Sequence, residues 1–181
     1  METTIIDDYL EPDYFKLISK TVNAPFFPWH YKDNISDYGE SADSKFGFTS
    51  LIMKDDYPIT QYDVIAKLYI ALKWFIEKNE MVTQGKLFRM RADMLTNIGQ
   101  PNTQAPHVDH DFNHRTSIFY LNEADGDTIL YEDKSATLEK IRITPKPNRI
   151  VFFEGLTTHT GMNPIKYPNR ILLNSNFKEI R

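Results

Sequence analysis

Hydrophobic and polar positions along this chain follow two periods, a helical one early and a two-residue one later. Phe15, Ile18 and Val22 recur at helical spacing behind Leu10-Glu11-Pro12-Asp13. Pro12 fits a first helical turn, and Asp13 the positive end of the helix. A short strand is expected just before it, over Ile5 to Tyr9. A stronger helical stripe runs through Tyr62, Ile65, Tyr69, Leu72 and Ile76. It opens at Thr60 and Asp63, a capping-box-like pair with Asp where Glu or Gln is usual. Such a stripe is read as a packing face. Between the two helices, Asn23 to Lys45 is irregular and rich in aromatic residues (Phe26, Phe27, Trp29, Tyr31, Tyr38), and Gly47 to Met53 reads as a strand.

From Lys86 the period becomes two. Phe88, Met90, Ala92 and Met94 alternate with Arg89, Arg91 and Asp93, the pattern of a half-buried strand. Asn97 to Pro106 reads as a loop. Further strands are expected over Thr116 to Asn122, Thr128 to Glu132, Thr137 to Ile143, Arg149 to Phe153 and Arg170 to Phe177. Asp125-Gly126-Asp127, Pro145-Lys146-Pro147-Asn148 and Asn163-Pro164 punctuate them. Helices followed by many short strands predict a mainly β sandwich or barrel with the helices on one side. With 181 residues and no linker or internal repeat, a single domain spanning 1–181 is expected, its helical support over about 10–80 and its β core over about 86–178.

Composition narrows the function classes. A hydrophobic fraction of 41% suits a folded globule. A net charge of -4 argues against non-specific nucleic-acid binding, which requires a basic face. The absence of cysteine removes disulfides, thiolate chemistry and sulfur-ligated zinc. The opening Met1 to Asp8 lacks a basic, apolar leader, and no apolar run is long enough for a bilayer, so a soluble cytoplasmic protein is the default expectation.

The candidate chemistry lies in Ala105-Pro106-His107-Val108-Asp109-His110, together with His159 and Arg170. In extended chain, His107 and Asp109 share a face. With His159 they would complete a 2-His-1-carboxylate triad, which suits non-haem Fe(II) because coordination positions stay open. Arg170 opens an apolar strand, where a buried guanidinium needs an anionic partner, and a carboxylate-bearing cosubstrate would supply one. Two other readings stand beside this. The cluster from His107 to His114, with His110 and His114 as competing ligands, could serve a metal-dependent hydrolase. A β-helix protein could also bind a metal without catalysis. Against the local cluster, Asp109 and His110 are adjacent and point to opposite faces of extended chain.

His107-Val108-Asp109, then Thr116 to Asn122 ending in Tyr120-Leu121-Asn122, then Gly126-Asp127-Thr128 resembles the 2-oxoglutarate/Fe(II) dioxygenase signature, closest to the prolyl-4-hydroxylase-like branch. Pro145 to Phe153 resembles that branch's approach to its distal histidine. The resemblance implies a double-stranded β-helix (jelly roll, cupin-like) and hydroxylation of a C–H bond coupled to oxidative decarboxylation of 2-oxoglutarate to succinate and CO2. It implies Fe(II) and 2-oxoglutarate as cofactor and cosubstrate, with O2 as oxidant and ascorbate as an accessory reductant. His107, Asp109 and His159 would hold iron, Arg170 the distal carboxylate of 2-oxoglutarate, and Tyr120 would donate its hydroxyl to that same end. The substrate would be a peptidyl proline, another side chain or a small molecule, with 97–106, the aromatic segment 26–38 and Arg91 as candidate rim. Two departures stand out: Asp125-Gly126-Asp127-Thr128 lacks a double glycine, and Leu172 replaces a small polar residue.

Overall fold

The computed structural model describes residues 3–36, 46–55, 57–58 and 85–179. The helix expected from Thr60 to Ile76 lies outside the described residues. Within them the order is β1 (Thr4–Ile6), α1 (Pro12–Val22), β2 (His30–Lys32), β3 (Gly47–Lys54), β4 (Tyr57–Pro58), β5 (Gly85–Thr96), β6 (Arg115–Tyr120), β7 (Thr128–Tyr131), β8 (Glu139–Ile143), β9 (Ile150–Glu154), β10 (His159–Gly161) and β11 (Asn169–Glu179).

The major sheet runs β1-β9-β6-β11-β5-β3-β2, with β4 added to β3, and the minor sheet runs β10-β7-β8. Thr103 and His107 form bridges to Met162 and His159, so the segment leading to His107 lies along β10 as a further edge of the minor sheet. From β5 onward the chain crosses repeatedly between the two sheets, and every pairing is antiparallel. This is the double-stranded β-helix, the mainly β jelly roll that the resemblance implied. The segment 97–106 is a loop, as expected, that touches the minor sheet at isolated bridges. β2 and β10 are short strands that the sequence pattern does not mark, because their neighbours fix them rather than a buried alternating face.

Alternation explains how the layers pack. On β5, Leu87, Met90 and Ala92 join Phe119, Leu121, Ile150, Phe152, Ile171, Leu173 and Phe177 in a core on one side of the major sheet, with Ile18 and Val22 of α1 against it. On β6, β9 and β11, Ile118, Tyr120, Val151, Phe153 and Leu172 project from the opposite face. They meet Leu130 and Ile143 of the minor sheet in a second core between the sheets. Long strands buried on both faces carry near-continuous apolar runs for this reason. Arg89, Arg91 and Asp93 therefore face the interior of the roll rather than water; Arg91 and Asp93 are buried.

Asn148 ties the N-terminal segment to the roll. Its Nδ2 donates to the Leu10 carbonyl at 2.8 Å, and its Oδ1 accepts from the Leu10 amide at 2.9 Å, so one side chain substitutes for a strand neighbour. Its φ of 63° lies in the left-handed region that Asn tolerates better than most residues. Asp7 adds an exposed clamp, accepting from Arg149 Nε at 2.6 Å and Lys146 Nζ at 3.1 Å. Asn148→Ala strands two backbone groups that the fold otherwise pairs, and adds left-handed strain. A loss of about 3 kcal/mol in chemical unfolding is expected. Asn148→Gly removes the strain and should recover only part of that loss.

Candidate metal centre

Backbone pairing places the two imidazoles side by side. His107 and His159 exchange both main-chain hydrogen bonds, N–H to carbonyl at 3.0 and 2.9 Å. As directly opposed residues on neighbouring strands, their rings stand 4.6 Å apart between centroids. Each Nδ1 lies 3.0 Å from a carbonyl two residues earlier, of Ala105 for His107 and Thr157 for His159. A carbonyl only accepts, so each Nδ1 carries the proton and each Nε2 keeps its lone pair. Burial and the neighbouring His159 pull the His107 pKa down to about 4, so this imidazole is neutral at ordinary pH.

Asp109 completes the group on the same side as His107. The ligand atoms of His107, Asp109 and His159 lie within 4.8 Å of one another, and Oδ2 of Asp109 is 4.0 Å from Nε2 of His159. The carboxylate is almost wholly buried and held on several sides. Asn176 Nδ2 donates to Oδ2 at 2.8 Å, Asn174 Nδ2 reaches both oxygens at 3.2 Å, Thr116 Oγ1 donates at 3.4 Å, and Arg89 stands 3.6 Å away. Burial opposes its ionisation, yet the interactions with His159 and Arg89 outweigh it and hold the carboxyl well below the usual carboxylate range. A pair of imidazoles and one carboxylate whose ligand atoms converge is a donor set for a divalent first-row metal. Thr116, Asn174 and Asn176 were not singled out in sequence. The trace was there: 170, 174 and 176 are polar positions at even spacing on one face of a long strand.

The competing histidines go elsewhere. His110 stacks on Phe112 with centroids 5.1 Å apart, and the His114 Nδ1 donates to the Phe112 carbonyl at 2.7 Å. Both pack against Phe88. Among the described residues, neither joins the metal-competent group.

Arg170 lies on the wall of the same cavity, which is also lined by His107, His159, Thr128, Gln104 and Leu172. It is 4% exposed, and among the described residues no carboxylate forms an ion pair with it. Its guanidinium donates to Thr128 Oγ1 at 2.5 Å, and the Thr128 and Tyr120 hydroxyls share a bond of 2.6 Å. Tyr120 thus meets Arg170 through Thr128, and its ring lies 5.6 Å from the guanidinium carbon. Thr128, marked in sequence only as a strand start, is the hydroxyl on the cavity wall. The Gly161 backbone passes so close that a Cβ there would sit 3.1 Å from Arg170 Nη1.

The remaining expectations sort by face. Arg91 lines the cavity, paired with Asp93 at 2.6 Å. Trp29 packs on Phe27 at 4.8 Å against the helix-side core, and Tyr31 meets Phe46 and Phe48. Ile118 and Leu130 lie in the inner core beside the site with Val151, Phe153 and Leu172, whereas Phe152 and Leu173 face the helix side. In the turn without a double glycine, Gly126 packs against the main chain at 162–164, where a Cβ would stand 2.2 Å from the Met162 carbonyl oxygen, and Asp125 caps the Ile165 and Lys166 amides.

No family model matches the sequence, and no curated protein matches it. Solved structures do. An oxidoreductase of the 2OG-Fe(II) oxygenase family from Burkholderia pseudomallei is 10% identical, with a TM-score of 0.74 over 97% of this chain and 84% of that one. A prolyl hydroxylase from Trichoplax adhaerens, in complex with a hypoxia inducible factor peptide fragment, is 13% identical, with a TM-score of 0.67 over 98% of this chain and 83% of that one. The epimerase SnoN, in complex with Fe3+, alpha ketoglutarate and nogalamycin RO, is 11% identical, with a TM-score of 0.65 over 98% and 78%. The likeness is one of fold.

Proposed function

We propose that this chain is an Fe(II)- and 2-oxoglutarate-dependent dioxygenase that hydroxylates a C–H bond of a peptide side chain or a small molecule. One oxygen atom of O2 enters the substrate as a hydroxyl group. The other enters the new carboxylate of succinate as 2-oxoglutarate loses CO2. His107, Asp109 and His159 would hold the iron, which supplies the redox chemistry that activates O2. Arg170 would take the distal carboxylate of 2-oxoglutarate, with Thr128 beside it and Tyr120 orienting Thr128.

The observation that carries the reading is Arg170: a buried cation without a carboxylate partner among the described residues, on the wall of the cavity that His107 and His159 line. A buried cation demands an anion. Proteins of this fold bind alpha ketoglutarate together with iron in one neighbour and a hydroxylatable peptide in another, which supports the same assignment. Ile118, Leu130, Phe153 and Leu172 would limit water around the reacting centre.

The test is anaerobic. Adding Fe(II) and then 2-oxoglutarate is expected to produce the metal-to-ligand charge-transfer absorption of the ternary complex, and admitting O2 should release succinate. Absence of any 2-oxoglutarate-dependent band would reduce the protein to a metal binder. A hydrolase using the His107–His114 cluster is disfavoured because His110 and His114 do not join the metal-competent group among the described residues, and it would ignore 2-oxoglutarate.

A further inference from the structure

A second cavity adjoins the metal centre, lined by Lys32, Thr49, Leu51, Lys54, Asp55, Phe88, Arg89, Arg91 and His110. Arg91 belongs to both walls, and Arg89 stands 3.6 Å from the Asp109 carboxylate, so this basin opens beside the metal donors and away from Arg170. Its lining carries four cations, Lys32, Lys54, Arg89 and Arg91, against the single carboxylate of Asp55. Among the described residues, Arg91 also pairs with Asp93 and Arg89 with Asp109. This basic lining sits on a chain whose total charge is -4.

The strand register shows how the cations arrive. Leu51 pairs with Arg91 and Thr49 with Asp93, so odd-numbered residues of β3 share the interior face of the sheet. Strict alternation would send Met53 inward and Lys54 outward. The register instead shifts between Leu51 and Met53, so that Met53 pairs with Met90 in the helix-side core and Lys54 pairs with Arg89. Irregularities of this kind re-aim side chains near functional sites. On the neighbouring strand His30 pairs with Thr49, which puts Lys32, two residues on, on that same face.

We infer that the molecule to be hydroxylated carries an anionic group, a carboxylate or a phosphate, which Lys32, Lys54 and Arg91 seat in this basin while its reacting carbon faces the metal centre. The inference rests on the oxygenase reading and supplies its substrate class. Charge of this sign steers an acidic ligand into the cleft and selects against cationic ones. Thr49 Oγ1, buried in the lining and without a hydrogen-bond partner, is a further donor for such a group.

The experiment loads the chain with Zn(II) and saturating 2-oxoglutarate, which fills the Arg170 end. It then titrates inorganic phosphate and, separately, acetate at fixed ionic strength, following the amide resonances of Thr49, Leu51 and Lys54. A saturable shift with at least one anion is expected, weakened about fivefold or more in the Lys32→Gln/Lys54→Gln double variant. Tighter phosphate marks a phosphorylated substrate, and tighter acetate a carboxylic acid. No saturable shift with either anion overturns the inference, as does an unchanged shift in the double variant. Lys54 is exposed, so Lys54→Gln alone serves if the double variant unfolds. The charge-transfer band with Fe(II) judges the oxygenase reading separately. A band without anion binding sinks the substrate class alone, whereas anion binding without the band keeps the basin and sinks the oxygenase.

Discussion

Asp109→Ala is expected to lower turnover at least about a thousandfold and to abolish iron retention through gel filtration. The carboxylate is the only anion of the donor set, and it would neutralise part of the metal's charge beside Arg89, 3.6 Å away, and Arg91 on the neighbouring cavity wall. Without it, two imidazoles would face the metal with guanidinium groups nearby and no anion to offset them. Asp109→Asn separates charge from shape. The new amide is nearly isosteric, but it turns a donor toward Asn174 and Asn176, both of which donate to Asp109. Iron affinity should therefore fall almost as far as in the Ala variant. The metal-free protein should lose roughly 2 kcal/mol in either variant, because the Asn174 amide loses its acceptor. Iron affinity within a few-fold of the parent would remove Asp109 from the metal site.

Arg170→Ala is expected to raise the dissociation constant for 2-oxoglutarate about a hundredfold or more while leaving iron affinity within a few-fold. Truncating one member of a buried charge pair costs 2 to 5 kcal/mol or more by the usual range. Arg170→Lys should recover a part only, since a point charge cannot form the two parallel bonds of a guanidinium with a carboxylate. Stability gives a second, opposite readout. A buried cation with no carboxylate partner is costly to fold, and an apolar side chain of similar length avoids that cost. Arg170→Met should therefore raise the unfolding temperature of the ligand-free chain, even as it removes cosubstrate binding. Parallel loss of iron, 2-oxoglutarate and stability would instead make Arg170 a structural residue.

Much of this was legible in the sequence where one face was buried and the other marked. The alternation around Phe88 to Met94 located β5, and His107-Val108-Asp109 with His159 and Arg170 marked residues that the fold brings to one candidate site, although they join only through pairing of distant strands. What stayed hidden depended on partners rather than on pattern. Thr103 and His107 form isolated bridges because β10 and Met162 lie beside them, and the segment's own residues carry no period. Phe152 and Phe153 look alike in sequence, but only the register of β9 against β6 assigns one to the helix side and the other to the site. Arg89 and Arg91 read as the polar face of a half-buried strand, with Arg91 a candidate for the rim, because period two separates two faces without saying what covers the polar one. Here it is the inside of the roll.

The shared main-chain hydrogen bonds of His107 and His159 have a consequence for the life of the protein without its metal. In zinc-finger domains the ion itself supplies the folding energy, and chelation unravels them. Here the two imidazoles are spaced by the ladder of a sheet that closes regardless. A chelator should strip the ion and leave a folded receptor, ready to recharge with ferrous salt on mixing, with no refolding step in between.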